Sequence, residues 1–234
     1  MKIYTTLLIS FAALLTFGGC KKEKIEYKPV NWKVGDWAEY DVQYEVKDST
    51  VVKNVEHYKL KFAVTGMDTL RGVSYYWLEM IETHEKGKGV FKMLVPYGYR
   101  GKAERMIIKV GEEPATEMPE GLNEEPDATH RPYLYLPVEI EAGRIDEQKV
   151  KTPVGEYPTV HANVKDPSGR SESKIEVWVG NNIPVFGLVK QTTSFQESGL
   201  SVVVTQKLNL IAMGNNAETS ITEEPLKIDL NSLE

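Results

Sequence analysis

The chain of 234 residues has a single cysteine, Cys20. That excludes an intrachain disulfide framework and any site built from paired thiolates. The four histidines, His57, His84, His130 and His161, are scattered, and no two have the i, i+4 spacing of a helical metal pair. The stretch "HEKGK" after His84 lacks the second histidine of a zincin. No Gly-x-Ser-x-Gly elbow and no phosphate-cradling glycine loop occurs. Glu79 and Glu82 are near neighbours, but period-two alternation puts them on opposite faces of a strand. A basic excess is missing too. Lys and Arg number 28 against 34 Asp and Glu, a net charge of −6, the wrong sign for binding nucleic acid. The expectation is a non-catalytic protein with no metal, no cofactor and no nucleic-acid partner.

Long apolar runs are confined to the start. Met1-Lys2 carries one positive charge, and "LLISFAALLTF" and Gly18-Gly19 follow. A basic n-region, an apolar h-region and small residues are the layout of a secretory signal. A membrane span needs about 20 predominantly apolar residues, and Thr5, Thr6, Ser10 and Thr16 interrupt this one. Phe17-Gly18-Gly19-Cys20 resembles the lipobox of bacterial lipoproteins, departing from it at Phe17, where leucine is usual. The resemblance implies cleavage between Gly19 and Cys20 and attachment of diacylglycerol to the Cys20 sulfur as a thioether. Ordinary export would instead leave a free thiol, which is a liability outside the cell. Residues 1–19 are therefore expected to be a lipoprotein signal peptide. Residues 20–31, with the polar stretch "KKEKIEYKP", are expected to be a lipidated tether to the membrane. The expected location is the cell envelope, on the periplasmic face of the outer membrane or at the cell surface.

From residue 32 onward the pattern changes. In "VGDWAEYDVQYEV", Ala38, Tyr40, Val42, Tyr44 and Val46 alternate with Glu39, Asp41, Gln43 and Glu45. Such alternation marks a strand with one wet and one buried face. It recurs at Tyr58–Val64, Phe91–Val95, Met106–Val110, Ile175–Val179 and Val202–Leu210, with turn signals such as "DTLRG", "EKGKG", "DPSG" and "QESG" between. The expected fold is mainly β. It is a single large curved antiparallel sheet over residues 32–234, an unclosed barrel of about eleven strands, with few or no helices beyond the signal peptide. Alternation puts Tyr40, Tyr44, Leu60, Phe62, Met93 and Ile108 on one side, the candidate hydrophobic ligand face. Residues 111–131 break the pattern with three prolines, two glycines and seven acidic residues. That stretch reads as a long acidic loop, either a solvated excursion or a flap over the open end of the sheet.

Four stretches, "NWKVGDWAEYDV", "VTGMDTLRGVSYYWLEM", "VGEYPTVHANV" and "KIEVWVGNNIPVFGLVKQTT", resemble the LolA/LolB-like group of bacterial envelope proteins, and more closely the uncharacterised lipoproteins that share its architecture. The resemblance implies an unclosed antiparallel half-barrel whose concave apolar face takes acyl chains or other hydrophobic ligands. A lipid anchor and the lack of obvious helices set this chain apart from the soluble carrier, so a fixed receptor or sensor suits it better. The alternative is a structural or protein-interaction module that docks an envelope partner through a sheet face or edge strand. Trp178, on the opposite face from Ile175, is the aromatic to watch under that alternative.

Overall fold

A computed structural model describes residues 24–48, 51–98, 103–119, 132–165, 173–196 and 201–228. The signal peptide, Gly19 and Cys20 lie outside the described residues.

Alternating β-branched and aromatic residues separated by tight turns produce a run of hairpins. The first five strands are β1 (Trp37–Asp48), β2 (Val51–Leu70), β3 (Val73–His84), β4 (Gly87–Pro96) and β5 (Arg105–Val110). A two-residue strand β6 (Thr116–Glu117) and a helix α1 (Pro137–Gly143) follow. The chain continues through β7 (Arg144–Thr152), β8 (Gly155–Val164), β9 (Lys174–Val179), β10 (Leu188–Gln196), β11 (Val202–Gly214) and a second short strand, β12 (Leu226–Lys227). They form one 12-stranded sheet in the order β12-β6-β5-β4-β3-β2-β1-β11-β10-β9-β8-β7. The order is open at both ends, so the sheet does not close into a barrel. Among the described residues all pairings are antiparallel except β12 on β6, which is parallel. The expected unclosed, mainly β fold is thus present, with twelve strands rather than about eleven and a mixed rather than purely antiparallel sheet. The parallel pair arises because the C-terminal segment returns to the β6 edge without a hairpin.

Register defines the inner face. Tyr40 faces Leu60 across β1 and β2, Phe62 faces Met80, and Met80 faces Phe91. Phe91 in turn faces Ile108. Met106 of β5 and Val160 of β8, far apart in strand order, belong to one hydrophobic cluster. The sheet therefore curls around a single core. Non-strand segments fill the trough. Tyr133, Leu134 and Tyr135, then Ile140 of α1, are buried there, as are Tyr27 and Trp32 from the N-terminal segment and Ile183, Val185 and Phe186 from the turn before β10.

The helix falls in a stretch where the alternation pattern marks no strand. Two local features produce it. Pro137 presets the first helical φ, and the Leu136 N–H donates to Glu139 Oε2 at 2.7 Å, satisfying one free donor of the first turn. Gly143 ends the helix against β8, where a Cβ would sit 1.6 Å from the Asn163 carbonyl oxygen. Only glycine permits that approach.

On the outer face a C-terminal strap crosses β1 to β5. Trp37 Nε1 donates to Asn216 Oδ1 at 3.0 Å, and the Ala217 N–H donates to the Gly35 carbonyl at 2.9 Å. Ile221 then completes a small cluster with Ile81, Val90, Ile107 and Ala115. The fully buried Glu79 carboxylate accepts from the Thr219 hydroxyl and from the Ser220 N–H at 2.9 Å. Of the acidic loop expected at 111–131, residues 111–119 are described. They hold β6 and the buried Ala115, so that part belongs to the sheet. Residues 120–131 lie outside the described residues.

Candidate functional site

The six residues expected on the ligand face do share the inner face, but in two different settings. Tyr40, Leu60, Phe62 and Met93 are packed against protein on all sides, none more than 1% exposed. Tyr40 donates its hydroxyl to the Leu188 carbonyl at 3.1 Å, and burial raises its pKa far above that of an ordinary phenol. Phe62 meets Phe186 edge to face, with ring centroids 5.0 Å apart. Tyr44 and Ile108 are only partly buried and lie toward the other end of the trough.

The change from packed to open coincides with a row of polar residues. Register aligns Glu56, Tyr44, Gln206, Thr193 and Ile175 across β2, β1, β11, β10 and β9. Beside this row, Tyr135 donates its hydroxyl to Gln191 Oε1 at 3.2 Å, and Gln191 Nε2 donates to Thr193 Oγ1 at 3.1 Å. Gln206 Nε2 donates to the Tyr58 hydroxyl at 2.9 Å, while Gln206 Oε1 is buried with no partner among the described residues. Burial pushes the Tyr58 phenol up to about 12, the Gln206 hydrogen bond opposing that shift only in part. The His84 ring stacks on Tyr58, with centroids 4.6 Å apart and planes 21° apart. Its Nε2 lies 3.5 Å from the Glu82 carboxylate.

Past Tyr58 and His84 the trough opens into a cleft of about 700 Å³, lined among others by Val55, Glu56, Glu82, His84, Phe91 and Val110. Phe91 supplies the apolar floor, joined to the core through Ile108. Gly89 leaves space above it, since a Cβ there would meet only Phe91 Cε2, at 3.9 Å. The rim carries both signs of charge, from Glu56, Glu82 and Glu85 and from Lys86 and Lys88. A second hollow, of about 860 Å³, surrounds the N-terminal segment at Lys28, Asn31, Asp36, Asn181 and Asn182. Among the described residues no three His, Cys, Asp or Glu side chains form a group able to hold a metal ion.

The apolar-floored cleft was not apparent in the sequence, because Glu82, Gly89 and Val110 meet only through strand register. Trp178 is covered rather than exposed. His161 stacks on it at 4.3 Å with planes 6° apart, and the Lys190 ammonium lies 4.3 Å from the ring centre. Trp77 sits on the outer face, flanked by Lys92 and Arg105.

No protein-family model matches the chain, and no curated protein matches it. Three solved structures are similar in fold at low identity. A candidate lipoprotein from Parabacteroides distasonis is 13% identical with a TM-score of 0.32, covering 78% of this chain and 96% of its own. A candidate exported protein with a YmcC-like fold from Bacteroides fragilis is 8% identical with a TM-score of 0.34, covering 80% and 98%. A hypothetical protein from Chlamydia trachomatis is 16% identical with a TM-score of 0.39, covering 83% and 94%. The likeness is one of β-sheet architecture alone, and membership of the LolA/LolB group does not follow from it.

Proposed function

We propose that this chain is a non-catalytic lipoprotein of the cell envelope, held to the membrane through Cys20. In this reading it binds an amphipathic hydrophobic ligand, an acyl chain or lipid, at the open end of its inner face. One observation carries the ligand site. The apolar inner face is covered by the chain's own segments as far as the Tyr58–Gln206 row, and past it Phe91 floors an open cleft. An acyl chain over Phe91 and a polar group among the charged rim residues would match both halves of that lining.

Gly89→Trp tests this, because a Cβ at 89 meets only Phe91 Cε2, at 3.9 Å, and the indole beyond it is expected to occupy the cleft. Wild type is expected to take up a fluorescent fatty-acid analogue, and the folded variant is expected to lose that uptake. Equal uptake by both, or none by wild type, would overturn the ligand site. A second reading, a protein-interaction module, draws on the far end of the β1–β2 hairpin. Val51, Val52 and Val55 are all more than 40% exposed there, an apolar patch free to meet an envelope partner.

A further inference from the structure

We infer that the side of the half-barrel closed by α1 and the N-terminal segment faces the bilayer, with Leu136 and Val138 at the lipid surface. This rests on the proposed lipidation of Cys20. The first point is the docking of the chain just after that cysteine. Lys24 Nζ contacts Glu141 Oε2 at 2.8 Å, and the Ile25 N–H donates to Glu147 Oε1 at 3.0 Å. Arg144 Nη2 donates to the Ile25 carbonyl at 2.8 Å, and Asn181 Nδ2 donates to the Glu26 carbonyl at 2.9 Å. Further along, Trp32 is buried and its Nε1 donates to the Val185 carbonyl at 2.6 Å.

Only Lys21, Lys22 and Glu23 separate Cys20 from Lys24. Four residue steps span at most about 13 Å fully extended, whereas a free tether of twelve residues would span about 40 Å. The headgroup layer is itself about 5–7 Å thick. A lipidated Cys20 therefore holds Lys24, and the helix it touches, against the headgroups.

The second point is what the same side presents. Leu136 is 45% exposed and Val138 69% exposed. Pro137 and Glu141 wall a hollow together with Lys24, Ile25 and Tyr27, and Val138 is the i, i+3 neighbour of Glu141 on the helix surface. Apolar side chains at such a site are suited to the interface, with Lys24 and Lys28 placed for anionic headgroups. Glu26, Glu141 and Glu147 also lie on this side, and Glu141 and Glu147 are engaged by Lys24 and Arg144.

The test uses the full lipidated protein in vesicles of phosphatidylethanolamine and phosphatidylglycerol that carry a nitroxide-labelled lipid. The Cys20 sulfur is consumed by the thioether, so Val138→Cys provides the one thiol for a fluorophore. Lys207→Cys, exposed on the outer face of β11, is the control. Quenching is expected to be several-fold stronger at 138 than at 207. Inserting ten Gly/Ser residues between Glu23 and Lys24 is expected to collapse the difference, and a difference that persisted would overturn the short leash as its cause. Equal quenching at both sites, in protein that floats with the vesicles, would overturn the orientation and leave the anchor standing. Failure to float would overturn the anchor itself, and this inference with it.

Discussion

The His84 imidazole lies on the Tyr58 phenol at the mouth of the cleft, 4.6 Å between centroids, while Gln206 Nε2 holds the phenol oxygen from behind at 2.9 Å. Burial keeps Tyr58 neutral against the opposing pull of the Gln206 hydrogen bond, and its folded pKa of about 12 lies above the usual 10.0. Between those values the unfolded chain has lost the phenolic proton and the folded chain has kept it. Stability is then lost as pH rises. The contribution is fully present below pH 10 and gone once pH passes about 12. Tyr40, raised further by burial, extends the loss to still higher pH. Urea midpoints across this range are expected to fall less steeply in Tyr58→Phe than in wild type. Parallel curves would contradict the assignment.

Cys20→Ser removes the only thiol in the chain. It is expected to abolish incorporation of a fatty-acid analogue during growth and to leave unprocessed precursor or a product cleaved elsewhere. Equal label in wild type and variant would exclude thioether attachment at this residue.

Glu79 couples the sheet to the C-terminal strap. Its carboxylate is fully buried, with Lys92 Nζ 3.9 Å away, and takes bonds from Thr219 and Ser220. A hydrogen bond to a charged group contributes about 1.5–3 kcal/mol, the cost expected for Thr219→Val. Glu79→Leu removes both carboxylate bonds to the strap and the counter-charge of Lys92, which keeps its bonds to the Thr219 hydroxyl at 2.7 Å and the Ile221 carbonyl at 3.4 Å, and about 3–5 kcal/mol is expected. The strap should then become open to a glutamate-specific protease at Glu218 and Glu223. Unchanged digestion in both variants would show that other contacts hold the strap.

Period two was legible wherever one strand face is buried and the other wet. Tyr40 and Val42 in β1 and Phe62 in β2 announced their shared face, because burial there follows from the pleat alone. The strap was not legible. "NNAETSITEEPLK" is polar, and its hold depends on Glu79, some 140 positions earlier. Trp178 was equally opaque, since its cover comes from His161 on β8 and Lys190 on β10, the strands either side of its own. Nor did alternation separate core from cleft. Leu60 and Phe91 carry the same inward signal, and only the crossing of residues 132–140 over the trough distinguishes them.

The contact that docks the N-terminal segment is acid-sensitive. The Arg144 guanidinium, and after it the Lys24 ammonium, hold the Glu141 carboxyl at about 2, below the ordinary 4.5. A depressed carboxylate stabilises the fold above its unfolded pKa, and that stabilisation is lost as pH falls through the folded value. Hydrogen exchange at the Ile25 amide should therefore accelerate, relative to the intrinsic rate, between pH 4.5 and about 2. Arg144→Gln, which also frees the Ile25 carbonyl, is expected to give fast exchange already at neutral pH. Protection unaffected by either change would mean that Tyr27 and Trp32 hold the segment alone.

Core and cleft make opposite predictions for residues on one face of the sheet. Phe62 is fully buried among Tyr40, Phe186 and their neighbours. Phe62→Ala therefore leaves a cavity and should cost about 3–5 kcal/mol. Leu60, 1% exposed, has no room to grow, so Leu60→Trp should overpack the core at about 1–3 kcal/mol. Phe91 is only partly buried, and Phe91→Ala should cost nearer 1 kcal/mol. Gly89→Trp meets open space and should leave stability within about 0.5 kcal/mol of wild type, as for surface substitutions. Chemical denaturation of the four variants, with fatty-acid uptake measured on each that folds, separates the two regions. Losses at 60 and 62 with tolerance at 89 and 91 place the boundary at the Tyr58–Gln206 row. A loss of several kcal/mol at Gly89→Trp would mean that the cleft is filled in solution, and the exposed valines of the β1–β2 hairpin would then become the better site for a partner.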